Sequence, residues 1–369
     1  MDAVTIKEQL KHPILDCDGH WWETLPVLQD YVRDVAGARL AEEFAAGRRG
    51  NDGGWYAATP QDRMQRRMRR PDVQWPTPGD TRDKATAMLP GLLAERLPEL
   101  GIDFAIVYGT VGLGLPGNAR AELRQAGCRA YNRMVADLFG PYAYRLTPAA
   151  AIPIYTPDEA IAELEHAVNE LGLKAIMLRG PTRRDVPDSP NHAYYFDSLG
   201  LDSPYDFDPF WAKCVELGVA VTSHGGSRDW ADRASVTNFT YNHIGHFAQN
   251  GHVFAKGLFL GGVTKRFPTL NFGLLEGGVG WAVNLVADLV GHWEKLNPTA
   301  IKANRHPANT NVAELRTLFE RYGAESVRQR LDDILATGLQ MQLHDSIIDD
   351  YGQTGVENKR DIVELFRRN

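Results

Sequence analysis

Cysteine is scarce in this chain. Its three copies, Cys17, Cys128 and Cys214, are widely spaced and form no CxxC pair, which argues against a disulfide framework and against a thiolate zinc site. Reduced thiols in a cytoplasmic protein are the expectation. Long apolar runs are missing too. No stretch approaches the roughly 20 apolar residues of a membrane span, and the opening MDAVTIKEQLKHPILDCD lacks the apolar core of a signal peptide. A basic surplus is also absent. With 40 Lys and Arg against 47 Asp and Glu, the net charge is −7, which argues against nucleic acid and anionic membrane surfaces as partners.

The composition that is present, 43% hydrophobic and 24% charged over 369 residues, suits a globular protein with a substantial core. It leaves room for one large barrel or two smaller domains. No short repeat or low-complexity tract stands out. Short apolar runs alternate with longer amphipathic stretches, which is the pattern of repeated β/α units. The expected strands are Pro13–Asp18, Phe104–Tyr108, Pro148–Ile154, Ala175–Leu178, Val219–Ser223 and Asn271–Leu275. Several are almost wholly apolar, as parallel strands covered on both faces should be.

One helix is signalled at both ends. Thr156-Pro157-Asp158-Glu159 offers an N-cap, a first-turn proline and a capping-box glutamate. Ala160, Ile161, Leu164, Ala167, Val168 and Leu171 then recur at helical spacing until Gly172 stops the run. Two regions break the rhythm, 25–90 and 185–208. Both follow expected strand ends, where a barrel carries its functional loops. The first contains the run Arg66–Arg70, which is either a solvated face or a source of one arginine for a substrate carboxylate. After Trp281 the pattern turns helical, with expected helices over Val283–Lys295, from Val312, and around Val327–Ile348.

The residues able to do chemistry stand at strand ends. In Ile14-Leu15-Asp16-Cys17-Asp18-Gly19-His20, strict alternation would place Asp16, Asp18 and His20 on one face. A divalent cation would explain that cluster, because it neutralises carboxylates and accepts oxygen and imidazole ligands together. A capping cluster at a strand-to-loop junction is the other explanation. The expected fifth strand ends at His224-Gly225-Gly226, a second metal-ligand candidate unless the ring simply bonds a loop carbonyl. The sixth ends at Glu276-Gly277-Gly278. Its carboxylate could serve as a general base, a further ligand, or an arginine partner at the rim. His243 and His246, three apart, do not fit HExxH, and one of them is expected to line the pocket.

Taken together, D-x-H on the first strand, H-G-G on the fifth, and Gly261–Phe272 leading into the sixth resemble the amidohydrolase-related branch of the amidohydrolase superfamily. Tyr131-Asn132-Arg133, Arg145–Pro153 and Asp158–Leu178 are similar to it as well, and the resemblance covers about Pro13 to Trp293. It implies a single (β/α)8 TIM-type barrel domain over 1–369, incomplete at the C-terminus. It also implies a homodimer, a small carboxylated organic substrate, and one divalent ion, zinc before manganese. Asp18, His20 and His224 match the family's ligand positions. Glu276 falls where many members carry a histidine acting on the substrate or its water, and is placed with His246 as the catalytic pair. Arg70, Trp75 and Arg179 are assigned to the substrate. The family's last aspartate ligand has no counterpart, since Asp332, Asp333, Asp349 and Asp350 lie in helical or polar context. Hydrolysis through a metal-activated water is the broader expectation. Non-oxidative decarboxylation of an aromatic or muconate-like acid is the alternative, and a catalytically impaired homologue with a binding role is a second one.

Overall fold

The computed structural model describes residues 3–48, 54–71, 80–191, 193–227, 230, 234–337 and 349–369. Six parallel strands form its main sheet: β1 (Leu15–Trp21), β2 (Phe104–Gly109), β3 (Leu146–Ala151), β4 (Ala175–Leu178), β7 (Val221–Ser223) and β8 (Phe272–Leu274), in that spatial order. All six expected strands are present. Ala149, Ala150, Ala151, Ile176, Met177 and Leu178 are completely buried, in keeping with a sheet covered on both faces. Several boundaries moved, β1 shifting to Leu15–Trp21 among them, and two of the shifts have plain local reasons. The expected start at Val219 is still closing the preceding helix, with its N–H bonded to the Cys214 carbonyl beyond a left-handed Gly218. β3 begins at Leu146, where its pairing with Ala105 starts.

The sheet curls. Neighbouring strands lie about 4.8 Å apart, so a flat sheet would separate β1 and β7, four steps apart, by about 19 Å. Yet the rings of His20 on β1 and His224 after β7 meet at 2.9 Å between their Nε2 atoms. Likewise the Tyr108 hydroxyl on β2 reaches Thr222 Oγ1 on β7 at 3.1 Å. This is the arrangement of a TIM-type barrel, and among the described residues it is open, with no ladder between β8 and β1. The outer edge of β8 is engaged by the last residue: Phe272 N–H donates to a main-chain oxygen of Asn369 at 2.7 Å. The helix Lys359–Arg368 that delivers Asn369 packs with Gly280–Leu296 in a second apolar cluster around Phe259, Leu285, Leu289 and Ile362.

Behind the sheet, the helix Ala121–Phe139 pins strand ends. Asn132 holds Ala151 from both sides, accepting from its N–H at 2.7 Å and donating to its carbonyl at 3.0 Å. The Tyr131 hydroxyl accepts from Gly109 N–H at 3.1 Å. The helix Pro157–Glu165 is capped by Thr156 as its sequence predicts, although the Glu159 carboxylate accepts from Tyr155 N–H rather than Thr156 N–H.

One element escaped the sequence reading. An antiparallel pair, β5 (Thr182–Asp185) and β6 (Tyr194–Asp197), occupies part of the expected loop 185–208. Pro187 and Pro190 suggested irregular chain, but they fall between the strands, and a buried Arg184–Asp197 pair at 2.9 Å ties the two together. No helix among the described residues is long and apolar enough to cross a membrane.

Candidate metal centre

The centre begins with an irregularity in β1. Asp16 pairs with Ala105 and Gly19 with Val107, so three steps on β1 face two on β2. This bulge breaks the alternation that would have put Asp16, Asp18 and His20 on one face. In the register that results, Asp16 aligns with Ala105 and His20 with Tyr108, three apart on β2 and therefore on opposite faces. Asp16 instead braces the bulge, accepting from Asp18 N–H at 3.0 Å. Asp18 and His20 are left together.

His224 continues the ladder just past β7, its N–H bonded to the Leu178 carbonyl at 2.9 Å, and it is fully buried. The two glycines after it are required by space. A Cβ on Gly225 would collide with the Arg179 carbonyl, and one on Gly226 with His246 Nδ1. Glu276 lies two residues beyond β8 and adopts a left-handed backbone, φ 60°, rare for a residue with a side chain. Strain of this kind persists where surrounding structure enforces it, and it clusters at functional sites.

Asp18, His20 and His224 each offer one ligand atom, all within 4.8 Å of one another. Asp18 Oδ1 stands 3.3 Å from His224 Nε2 and 3.9 Å from His20 Nε2. That oxygen is buried without a well-aligned hydrogen bond, an arrangement costly for a carboxylate unless a cation shares the site. Ligand bonds of about 2.1 Å in a tetrahedral shell separate ligand atoms by about 3.4 Å, so the donor set fits a divalent ion. Burial pulls the His20 ring below its ordinary pKa, and the neighbouring His224 adds to this. Burial also pulls on His224, but Asp18 and Glu276 outweigh it and hold that ring above the ordinary value. Burial pushes the Glu276 carboxyl up, and His224 and His20 more than reverse it, leaving it below the usual range.

The remaining sequence candidates are dispersed. His246 is buried behind the Gly225-Gly226 turn, its ring 3.9 Å from Phe247 and 4.8 Å from His243 by centroid. Arg179 lies at the end of β4 with its guanidinium against Gly117 and its stem against Gly225. Arg70 donates to the Thr237 carbonyl at 2.7 Å and ties two loops together. Trp75 lies outside the described residues. Asp332 pairs with Arg316 and Asp333 with Arg330, while Asp349 and Asp350 are exposed; none joins the cluster.

Three neighbours of the site went unnoticed in the sequence. Tyr108 reads there as one more apolar strand residue, yet its ring is 5.4 Å from His224 and 6.2 Å from His20, and burial raises its hydroxyl to about 12. Phe247 meets His224 edge-on at 5.3 Å. Glu23, almost fully buried, accepts from Val111 and Gly112 N–H at 2.9 and 2.7 Å and holds the loop after β2. Only the D-x-H-x-x-E spacing could have suggested it.

Comparison with known proteins bears on the whole arrangement. The chain is 26% identical over 245 residues to the decarboxylase orsB of Emericella nidulans, covering 60% of this chain and 66% of that protein. It is 27% identical over 192 residues to a gamma-resorcylate decarboxylase of a Rhizobium species, covering 49% and 51%. It thus spans between about half and two thirds of the length of these curated relatives. Among solved structures, the amidohydrolase map2389c of Mycobacterium avium subsp. paratuberculosis aligns over 78% of this chain and 77% of its own, with a TM-score of 0.53 and 18% identity. That likeness concerns the fold. The amidohydrolase family profile matches residues 15–327, a span that contains all six sheet strands and Asp18, His20, His224 and Glu276, and on that match the chain belongs to the amidohydrolase family.

Proposed function

We propose that this protein is a metal-dependent decarboxylase that releases CO2 from a small aromatic carboxylic acid. The observation that carries the reading is the convergence of Asp18, His20 and His224 on one point. The two curated relatives described above are named decarboxylases, and this favours decarboxylation over the hydrolysis that was the broader expectation from the family resemblance. Asp18, His20 and His224 would hold the ion, for which zinc and manganese both suit a carboxylate–imidazole set. When bound, such an ion polarises substrate oxygens and offsets their charge.

In this reading the other side chains orient the acid. Arg179, beside the His224 turn, supplies a fork suited to a carboxylate. The half-buried Phe247 ring offers a face against which a ring can lie, and the buried Tyr108 backs the two imidazoles. His246, buried beside Phe247 and behind the Gly226 turn, is the second member of the proposed catalytic pair with Glu276. A second copy of the chain is the proposed partner.

The reaction breaks one C–C bond, leaves its electron pair on the ring carbon, returns a proton there and frees CO2. Purified protein loaded with zinc or manganese is therefore expected to release CO2 from γ-resorcylate or another hydroxybenzoic acid. Chelation and His224→Ala should each abolish the release. Turnover of amides or lactones without any release of CO2 from the acids would return the assignment to hydrolysis.

A further inference from the structure

Glu276 stands in the same relation to the two imidazoles as Asp18 does. Its Oε2 is 3.2 Å from His224 Nε2 and 3.9 Å from His20 Nε2. The corresponding distances from Asp18 Oδ1 are 3.3 and 3.9 Å. The two carboxylates come from opposite ends of the sheet, Asp18 from β1 and Glu276 from the turn after β8. Both oxygens therefore stand against the same pair of ring nitrogens.

A hydrogen-bond explanation fails on valence. His224 Nε2 carries at most one hydrogen, yet three polar atoms crowd it: His20 Nε2 at 2.9 Å, Glu276 Oε2 at 3.2 Å and Asp18 Oδ1 at 3.3 Å. One N–H can satisfy only one of them. A cation held between the two rings can be reached by either carboxylate, and the separations that involve a ring nitrogen, 2.9–3.9 Å, bracket the roughly 3.4 Å of a tetrahedral shell. The backbone points the same way. The left-handed φ of 60° at Glu276 fixes the direction of its side chain at a cost of about 1–2 kcal/mol.

We infer that Glu276 is the fourth protein ligand of the metal, supplying from the end of β8 the second carboxylate of a site whose other members are Asp18, His20 and His224. This rests on the proposed metal centre and adds to it. The ligand set is then two carboxylates and two imidazoles, complete within the described chain.

The test is metal binding by the full chain, with zinc alone and manganese alone in equilibrium dialysis. Wild type, Glu276→Gln, Asp18→Asn and His224→Ala are compared, each checked for native circular dichroism. Losing a partner behind a ligand weakens affinity about 10–100-fold, so Glu276→Gln is expected to lose on the order of 100-fold or more, as Asp18→Asn does. Cobalt(II) loading supplies a reading of coordination itself: the visible spectrum should change in Glu276→Gln. Wild-type affinity in Glu276→Gln overturns the assignment. So does weakened affinity with an unchanged cobalt spectrum, which would make Glu276 a positioning residue. Wild type that binds no metal overturns the metal centre along with it.

Discussion

Two regions of this molecule gather carboxylates, one buried and one about a third exposed, and they balance them in different ways. In the wall between the helices and the sheet, each acid meets a guanidinium. Arg124 grips Glu159 with two bonds of 3.0 and 2.9 Å, and Arg129 reaches Glu163 at 2.7 Å. At the open end of the barrel, Asp18 and Glu276 face only imidazoles among the described residues. A fixed cation partner closes an electrostatic account permanently and leaves nothing for a ligand. Imidazoles that can be neutral leave a net negative pocket, which is what a divalent ion requires. The wall is built for stability and the rim for binding.

The largest effect that separates the two regions should come from the wall. Arg124→Met removes the partner of a nearly fully buried carboxylate, and such breaks cost about 3–5 kcal/mol. Because Tyr155 N–H and Gln125 still donate to Glu159, the lower end, about 3 kcal/mol, is expected in urea unfolding. Metal affinity should not move. If Arg124→Met lost metal as His224→Ala is expected to, the division between wall and rim would be wrong.

A smaller and opposite pair of effects contrasts the two rim carboxylates. Both owe their direction to a backbone irregularity, but of different kinds. Glycine relieves the left-handed strain at Glu276, worth about 1–2 kcal/mol, against about 0.5–1 kcal/mol of added chain entropy. Glu276→Gly is therefore expected to stabilise the metal-free fold by about 0.5 kcal/mol or slightly more. Asp18→Gly, in an extended bulge with no such strain to relieve, should destabilise it by a similar amount. Thermal melts of the metal-free proteins decide this, and equal signs would remove the strain argument for Glu276.

The same contrast explains what could be read from sequence. Strands were legible because burial on both faces leaves near-continuous apolar runs, as at Ala175–Leu178. The capped helix after Thr156 was legible because its signals are local. Asp18, His20 and His224 were legible as residue types at strand ends. The partition between Asp16 and Asp18 was not, since it depends on a bulge set by pairing with β2. Glu276 could be named, but its role turns on a single φ angle and on the curl that carries β8 back to β1. Tyr108 was hidden because a strand tyrosine looks the same whether it only fills a core or also backs a site. The β5–β6 hairpin was obscured by the prolines of its own connection.

The smallest expected effect lies inside the wall itself and tests whether a guanidinium fully offsets burial there. Burial raises the Glu163 carboxyl above its ordinary value of 4.5, and bonds from Asn132 and Arg129 only partly oppose this. Glu276, facing imidazoles, is displaced the other way. A carboxyl raised in the folded state binds its proton more tightly there than in the unfolded chain. Stability from this group is therefore present at low pH and is lost as pH climbs from about 4.5 through the folded value. Glu163→Gln removes the titration, and its amide can keep a bond to Asn132 while giving up the charge opposite Arg129. The variant's absolute stability at neutral pH mixes these terms, but its pH dependence does not. The stability of Glu163→Gln minus that of wild type should rise with pH across that window, measured by urea unfolding at several pH values from about 4.5 to 7. Parallel curves for the two proteins would mean that Arg129 and Asn132 cancel the burial of Glu163 completely.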